Sequence, residues 1–254
     1  MYLAHFGLAE PPFRITPHTD FFFAGANRGA TLDALLYAIT HDEGIVKVSG
    51  EVGSGKTMLC RVLMERLPKN VETIYLANPS LSREEILYSI ADELKLALNA
   101  ERATRLIREL QDKLIERFAA GKRVVVLIDE AHAMPKETLE EIRLLSNLES
   151  GRHKLLQIVL MGQPELKTIL ARDELRQLRQ RILVHYELHP LSLPDVTHYI
   201  HHRLTLAGSQ GTPTFTKWAL RYIHRGSSGI PPPGCDGLTN SSASTVPIRG
   251  PRRG

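Results

Sequence analysis

The stretch from Gly50 to Thr57, GEVGSGKT, carries glycines, a lysine and a hydroxyl residue in the spacing G-x-x-x-x-G-K-[ST]. Backbone without side chains lets N–H groups point at an anion, and a helix N-terminus after the loop adds a favourable partial charge. Lys56 would then contact the β- and γ-phosphates of a nucleotide, and the Thr57 hydroxyl would ligate Mg²⁺. The alternative is a glycine-rich turn that fits the pattern by chance. The spacing favours a nucleotide site formed by Gly50, Gly53, Ser54, Gly55, Lys56, Thr57 and Met58.

Two adjacent carboxylates follow a continuously apolar run farther along the chain. Asp129 and Glu130 come directly after VVVLI (124–128). Ligands of open α/β sheets bind at the carboxyl ends of the strands, so we expect the acids and the glycine loop to meet in one crevice. Asp129 suits the shell of Mg²⁺, and Glu130 suits the base that activates water. Taken alone the pair could instead cap a helix. His132 is expected to be a polar loop residue, because no partner histidine has metal-ligand spacing.

Two weaker features belong to the same candidate site. Gln163 follows the strand-like run VLMG, where its side chain could sense a γ-phosphate, although an ordinary turn before Pro164 is about as good an explanation. The segment LRQLRQRI supplies Arg176, Arg179 and Arg181. An arginine from a neighbouring subunit can stabilise the charge that develops during nucleotide hydrolysis. Most surface arginines have no such role, so the arginines alone decide nothing.

Strand-like and helix-like segments alternate after residue 44. The strand-like runs are 45–49, 72–76, 124–128, 155–162 and 182–188. Continuous apolarity, as in VVVLI, is typical of a strand buried on both faces of a parallel sheet. Ser82 and Glu85 predict a capping box for a helix whose apolar face reaches Leu98, and Gly121 predicts the end of the next helix. We therefore predict an α/β fold around a parallel sheet.

The strand pattern stops after residue 190. Two amphipathic helices are expected next, as in a small helical subdomain. Beyond Arg225 the helical period is lost in a stretch rich in Gly, Pro and Ser, which we predict to be disordered. The predicted organisation is an N-terminal segment (1–44), a nucleotide-binding core (45–190), a partial helical subdomain (191–228) and a tail (229–254).

Composition narrows the class of protein only a little. The 254 residues carry a formal charge of +4, which is compatible with a polyanionic partner but does not argue for one. Cys60 and Cys235 make neither a disulfide framework nor a metal pattern. The N-terminus lacks a secretory signal, and no apolar run approaches the ~20 residues needed to span a bilayer. A cytoplasmic protein without a membrane span is the default expectation.

Six motifs together resemble those of the AAA+ ATPases of the ExeA type, a group that includes general secretion pathway protein A and the MSHA pilus biogenesis ATPase MshM. They are FGLAEPPFRITPHTDFFF, GEVGSGKT, LIDEAH, GQPEL, LRQLRQRI and LHPLS…YIHHRL, within residues 1–230. The first and last are much more specific to that family than a phosphate loop is. The resemblance implies the P-loop NTPase fold of AAA+ proteins, a three-layer α/β sandwich with a parallel sheet, followed by a C-terminal helical lid.

The resemblance also implies roles for individual residues. Lys56 and Thr57 look like the Walker A pair, Asp129 and Glu130 look like the Walker B pair, and Gln163 stands where the family places its sensor of the γ-phosphate. The implied cofactors are ATP and Mg²⁺.

Two further implications concern neighbours of the nucleotide. Arg181 is similar in position to the arginine finger that acts across a subunit boundary, with Arg179 as the nearest alternative. The segment around Pro12 and Phe13 is expected to border the adenine. Ring-like homo-oligomers are typical of this class.

The sequence departs from the family near its end. Relatives continue the lid with a GIPRRIN-like segment whose arginine contacts the nucleotide, whereas this chain has GIPPPG from Gly229. We therefore hypothesise a lid that is truncated or frame-shifted near residue 230, and we expect weakened hydrolysis. Larger relatives also carry a membrane span and a peptidoglycan-binding domain, and the sequence pattern indicates neither here.

The predicted function is an AAA+ ATPase that binds and hydrolyses ATP with Mg²⁺ to drive assembly or gating of a secretion or type IV pilus-like machine. Its partners would be the assembly proteins of that machine, which could hold it peripherally at the inner membrane. Two alternatives stay open. One is a DNA-associated AAA+ ATPase of the transposition or replication-initiation kind, which the modest charge outside the tail disfavours. The other is a nucleotide-dependent switch with little turnover.

Overall fold

The computed structural model describes residues 3, 6–13, 18–41, 44–78, 80–96, 103–151, 153–209 and 215–231. The chain divides into two compact units. We call residues 31–50 and 60–187 the sheet unit, and residues 1–30, 51–59 and 188–254 the lid unit. Of the segment predicted to be disordered beyond Arg225, residues 232–254 lie outside the described residues. The prediction is wrong for Gly226 and Ser227, which belong to the last helix of the chain that the structure describes.

The sheet unit is built on a five-stranded sheet. Its strands are β1 (Ile45–Gly50), β2 (Val71–Leu76), β3 (Arg123–Ile128), β6 (Leu156–Gly162) and β7 (Ile182–Leu188), in the order β2-β3-β6-β1-β7. The pairs β2–β3, β3–β6 and β6–β1 are parallel. Strands β4 (Glu149–Ser150) and β5 (His153–Lys154) form a separate antiparallel pair, which the sequence did not predict.

Burial explains why the central strands are so apolar. Every residue of β1 and β6 is buried, and so are the last five residues of β3. Helices cover these strands and are α1 (Arg28–Thr40), α2 (Lys56–Arg66), α3 (Arg83–Glu93), α4 (Ala103–Ala119), α5 (Lys136–Leu145), α6 (Glu165–Leu170) and α7 (Arg176–Arg181). Each buried Leu, Ile or Val stabilises the fold by about 1.5–3 kcal/mol before entropy is counted. The predicted α/β class with a parallel sheet is confirmed.

Two helix ends test the predicted caps. The Ser82–Glu85 capping box is present at the start of α3. Helix α4 ends at Ala119, two residues before the predicted Gly121, which takes the left-handed conformation after the helix, with the Lys122 N–H donating to the Arg117 carbonyl. The predicted extension of α3 is wrong at Leu94, because the helix ends at Glu93, and Leu98 lies outside the described residues.

A C-terminal cap built on a lysine ends α3. Lys95 takes the left-handed conformation, with φ of 55°. Its N–H donates to the Asp92 carbonyl, and the next N–H, of Leu96, donates to the Ala91 carbonyl. These two bonds are those of a Schellman cap, in which glycine is the usual left-handed residue.

The lid unit contains helices α8 (Leu193–Leu206) and α9 (Lys217–Ser227), which pack on each other. Their shared core is formed by Leu191, Val196, Tyr199, Ile200, Leu204, Leu220 and Ile223. The N-terminal segment packs on α8, where the Arg203 guanidinium lies 4.8 Å from the Phe21 ring centroid and the Phe23 ring meets Tyr199 edge-on. The Leu191 N–H donates to the Gly229 carbonyl, so the segment before α8 is hydrogen-bonded to the segment after α9. In the part of the chain that the structure describes, no helix is both long and apolar enough to cross a membrane.

Candidate nucleotide-binding site

The loop between β1 and α2 has the backbone that the sequence predicted. Gly53 and Gly55 take φ values of +76° and +99°, which residues with a side chain rarely adopt. A Cβ on Gly53 would also lie 2.9 Å from Cγ2 of Ile230. The Ser54 N–H donates to the Glu51 carbonyl, which closes the turn. The loop is therefore a tight, glycine-dependent turn leading into a helix.

Polar groups of this loop suit an anion. The Ser54 hydroxyl is buried and has no hydrogen-bond partner among the described residues. The Lys56 side chain is also buried, and its ammonium donates to the Glu51 carbonyl at 3.0 Å. Lys56 and Thr57 open α2, where helix N–H groups and the helix dipole favour negative charge. The residues present thus fit a phosphate group.

A buried arginine, Arg28, supports the loop from the first turn of α1. Its Nε and Nη2 donate to the Ser54 carbonyl at 3.2 and 3.0 Å. Nη1 donates to the Ala26 carbonyl, and Nη2 also reaches the His189 carbonyl at 3.3 Å. Burial lowers the pKa of Arg28, whereas the charges of Asp195 and Tyr199 act in the opposite direction. One guanidinium therefore connects the phosphate loop with the chain that enters α8.

In the sheet unit, the Asp129 carboxylate is held at the end of β3. It is 4% exposed. Its Oδ1 accepts the Glu130 N–H at 2.9 Å, and its Oδ2 accepts the Tyr75 hydroxyl at 3.3 Å. Burial and the neighbouring Asp129 raise the pKa of Tyr75 to about 12, so the hydroxyl remains a donor. These contacts fix the direction of the Asp129 oxygens, which suits a group that binds a metal ion.

Glu130 has a strained backbone, and its side chain contacts both Gln163 and His132. Its φ is 52°, in the left-handed region that glutamate seldom occupies. The Gln163 amide donates to Glu130 Oε2 at 3.3 Å. His132 Nδ1 lies 3.5 Å from the same oxygen and accepts the Gln163 N–H at 3.4 Å. Glu130, His132 and Gln163 thus form one polar cluster at the ends of β3 and β6.

The topology of the sheet unit explains why this cluster forms. In the register of the parallel strands, Ser49 pairs with Gly162 and Ile128 pairs with Leu160. The carboxyl ends of β1, β6 and β3 therefore lie at the same edge of the sheet. Gly50 begins the phosphate loop at this edge, where the two acids also follow β3.

The three candidate arginine fingers all lie on α7. Arg179 donates to the Ala171 carbonyl at 3.0 Å, Arg176 is exposed, and Arg181 is half-buried at the last position before β7. Among the described residues, no group of three or more His, Cys, Asp or Glu is arranged to hold a metal ion. His132 lies in a short 3₁₀ turn, Ala131–Ala133.

Sequence reasoning missed Arg28, Tyr75 and the contacts of His132. Arg28 follows two residues with positive φ, Ala26 and Asn27, and the asparagine of this AGAN turn was the available signal. A tyrosine near the end of a predicted strand gives no comparable signal, because its hydroxyl finds its partner only in the folded sheet.

Two comparisons decide the family. A family profile described as "AAA domain" matches residues 39–170. General secretion pathway protein A of Aeromonas hydrophila is 45% identical over 232 residues, which are 91% of this chain and 42% of that protein. This chain belongs to the AAA domain family. It is an AAA+ ATPase of the ExeA type, as the sequence motifs predicted.

Other relatives of this AAA+ chain are more distant. The Mu-like prophage FluMu DNA transposition protein B of Haemophilus influenzae is 32% identical over 127 residues, which are 49% of this chain and 39% of that protein. The ADP form of the Aeropyrum pernix ORC2 protein superposes with a TM-score of 0.62 at 15% identity, over 81% of this chain and 59% of that one. This likeness supports the P-loop NTPase fold alone. The chain spans less than half the length of the curated relatives it matches.

Proposed function

We propose that this AAA+ chain binds ATP with Mg²⁺ at the loop Gly50–Thr57 and hydrolyses it with Glu130 as the base. The observation that carries the proposal is the shared edge of the sheet at which β1, β6 and β3 end. A phosphate loop and an acidic pair that start from this edge can act on one ligand, since ligands of open α/β sheets bind there.

The phosphate groups would be held by the loop. The Ser54 hydroxyl lacks a partner among the described residues and is a donor for a phosphate oxygen. The Lys56 ammonium donates to the Glu51 carbonyl and would turn toward a phosphate through a change of rotamer. Thr57 and Asp129 would hold Mg²⁺, which would neutralise charge on the phosphates.

Glu130 would take the proton of the attacking water. Its side chain is 41% exposed, so a water molecule can approach it. The Gln163 amide, which now donates to Glu130, can instead donate to a γ-phosphate oxygen. We infer that exchange of this hydrogen bond releases the base when ATP binds. The proposal thus gives Gln163 the sensor role predicted from the sequence.

Measurements of ATP binding and of ATP hydrolysis distinguish the role of Lys56 from that of Glu130. Lys56→Ala should abolish ATP binding in calorimetry. Glu130→Gln should bind ATP normally and lose single-turnover hydrolysis by roughly 10²–10⁴-fold, the usual contribution of general base catalysis. Glu137→Gln is the matched control, since Glu137 is exposed in the first turn of α5. Normal hydrolysis by Glu130→Gln would remove Glu130 from this role.

A mixing experiment tests whether Arg181 acts across a subunit boundary. Glu130→Gln and Arg181→Ala should each be inactive alone. A mixture should regain part of the activity, because some sites then combine an intact Glu130 with an intact Arg181 from a neighbour. Arg179→Ala in place of Arg181→Ala is the comparison that chooses between the two arginines. Absence of recovery, with mixed oligomers present, would refute action in trans.

We further propose that hydrolysis serves assembly or gating of a secretion or type IV pilus-like machine. The support is the identity to general secretion pathway protein A over 91% of this chain. The test is rescue of secretion or pilus assembly in a strain that lacks this chain. Wild type should restore it and Glu130→Gln should not, at equal protein levels. If wild type and Glu130→Gln restored secretion or pilus assembly equally, the chain would act in the machine by binding ATP and not by hydrolysing it.

A second candidate is an ATPase that acts on DNA during transposition. The identity to a DNA transposition protein over 49% of this chain favours it. Duplex DNA should then raise ATP turnover in a manner that disappears as salt increases. Turnover that is indifferent to duplex DNA at low salt would exclude this candidate.

A further inference from the structure

Helix α9 presents an unusual stripe to solvent. Trp218, Arg221, Tyr222 and Arg225 stand at positions i, i+3, i+4 and i+7, which lie on one face of a helix. All four are exposed, and the opposite face buries Ala219, Leu220 and Ile223. Two aromatic rings therefore alternate with two guanidinium groups on the side of α9 turned away from the lid core.

The exposure of Trp218 is unusual for its residue type. At 78% it is the most exposed of the large hydrophobic side chains in the described residues, and Tyr222 is 51% exposed. Tryptophan is on average highly buried, so an exposed one is informative. The Arg221 guanidinium carbon lies 5.6 Å from the centroid of the Trp218 ring, which makes one cation–π platform. Tyr222 adds a second ring within one helical turn.

Positive charge predominates on this face. From residue 188 to 231 the chain carries three exposed lysine or arginine residues and the buried Arg203, against the single acid Asp195. The Asp195 carboxylate accepts hydrogen bonds from Ser192 in the cap of α8. Helix α9 itself holds Lys217, Arg221 and Arg225 and has no acidic residue. The surface therefore suits a polyanion that also offers flat rings.

We propose that this face of α9 binds single-stranded nucleic acid, with Trp218 and Tyr222 stacking on bases and Arg221 and Arg225 contacting phosphates. Aromatic platforms flanked by cations are the chemistry by which proteins bind single strands without reading sequence. The surface lies within the lid unit and needs no ATP hydrolysis. This inference therefore goes beyond the proposed ATPase activity and is tested independently of it.

The geometry favours a single strand over a duplex or a lipid surface. Side chains four apart on a helix are separated by about 6 Å, whereas stacked bases of a duplex strand are about 3.4 Å apart, so the two rings fit bases that are spread. A helix that lies in a membrane surface needs a broad apolar face. The two rings of this stripe are instead interrupted by arginines, and the apolar residues of α9 are buried against α8.

Trp218 is the only tryptophan of the chain, so its fluorescence reports directly on this face. Titration of the full chain with an oligo-dT of about 20 nucleotides, which exceeds the site size of a typical single-strand module, should quench the emission without shifting it to shorter wavelength. Affinities of variants come from the anisotropy of a labelled oligo-dT. Trp218→Ala should weaken binding at least about fivefold, and Trp218→Phe should weaken it less.

The salt dependence of oligo-dT binding tests the roles of Arg221 and Arg225. Arg221→Gln combined with Arg225→Gln should reduce the slope of log affinity against log salt by about 1.4, because each lost contact to a single strand removes about 0.7. Tyr37→Ala and Lys69→Gln are the matched controls for an exposed ring and an exposed cation, and both should bind oligo-dT normally. Lys56→Ala should also keep its affinity for oligo-dT while losing ATP, which separates this surface from the nucleotide site.

Three results would overturn the inference. The first is that oligo-dT, in the absence of ATP, leaves the Trp218 emission unchanged or binds the control variants as weakly as it binds Trp218→Ala. The second is a shift of the emission to shorter wavelength with phosphatidylserine–phosphatidylcholine vesicles and no response to oligo-dT, which would assign the face to a lipid surface. The third is quenching that depends on protein concentration alone, which would assign it to a second copy of this chain.

Discussion

Replacement of Arg28 should weaken ATP binding without unfolding the sheet unit. Among the described residues, the hydrogen bonds of Arg28 to the phosphate loop go to the Ser54 carbonyl, so Arg28 shapes the loop and is not expected to touch the nucleotide. The sharpest substitution is Arg28→Met, which keeps an unbranched chain and removes every donor. Arg28→Lys is the graded variant, because an ammonium retains the charge but loses the planar fork that gives Ser54 two bonds.

The size of the effect follows from the bonds that are lost. A hydrogen bond from a charged group contributes about 1.5–3 kcal/mol. Arg28→Met removes the paired bonds to the Ser54 carbonyl in a buried setting, and the partly exposed bonds to the Ala26 and His189 carbonyls contribute less. We expect about 2–4 kcal/mol to be lost from the binding-competent loop. If the loop must regain its shape to bind, ATP affinity falls roughly 30- to 700-fold.

Calorimetric titration with ATP, alongside urea unfolding, distinguishes a loop effect from general destabilisation. Arg28→Met should lose more affinity for ATP than Arg28→Lys does. The urea concentration at which the sheet unit unfolds should change little in either variant. Arg105→Met is the matched control, since Arg105 makes a surface pair with Glu109 on α4. An Arg28→Met chain that stays folded and binds ATP within twofold of wild type would refute the argument.

Three further predictions rest on contacts outside the loop. Tyr75→Phe removes the donor to Asp129 and should raise the Mg²⁺ concentration for half-maximal turnover about fivefold, the equivalent of one net hydrogen bond, whereas Tyr88→Phe should not. Gly229→Ala places a Cβ 2.3 Å from the Leu191 carbonyl and should lower the thermal stability of the lid unit, whereas Gly226→Ala, where a Cβ meets nothing within 4 Å, should not. Burial and Asp129 raise the pKa of Cys60 to about 12, so above about pH 9 the unfolded chain releases the thiol proton while the folded chain keeps it. The free energy of unfolding should therefore fall as pH rises there, and Cys60→Ala should flatten that fall in urea titrations.

Local patterns were enough to predict the five strands of the main sheet and the phosphate loop, but not the short pair β4 and β5. A strand buried on both faces must be apolar throughout, so β3 and β6 are visible as runs in the sequence. The loop was predictable because Gly53 and Gly55 take φ values that only glycine adopts easily. In both cases the physical requirement acts on the residue itself, and the sequence records it directly.

The end of α3 shows where local patterns mislead. Apolar spacing continues through Leu94 toward Leu98, so periodicity alone extends the helix. The structure ends it with a cap on Lys95, a residue type that carries no stop signal. A lysine in the left-handed region costs roughly 1 kcal/mol or more, and the two capping hydrogen bonds offset that cost. Whether the helix ends here depends on the strain at Lys95 and on hydrogen bonds that exist only once the turn has formed. The spacing of apolar residues in the sequence does not encode those bonds.

The same distinction separates the parts of the candidate site. Lys56, Asp129 and Glu130 have roles that follow from residue type and position relative to a strand, so a motif finds them. Arg28 and Tyr75 act on backbone and side-chain atoms that are remote in sequence, and only the fold brings them within hydrogen-bond distance. Any arginine at the start of a helix or tyrosine on a strand has the same local signature. Residues that orient the chemical groups are therefore read from the structure, and the Arg28 and Tyr75 variants test whether that orientation matters for ATP.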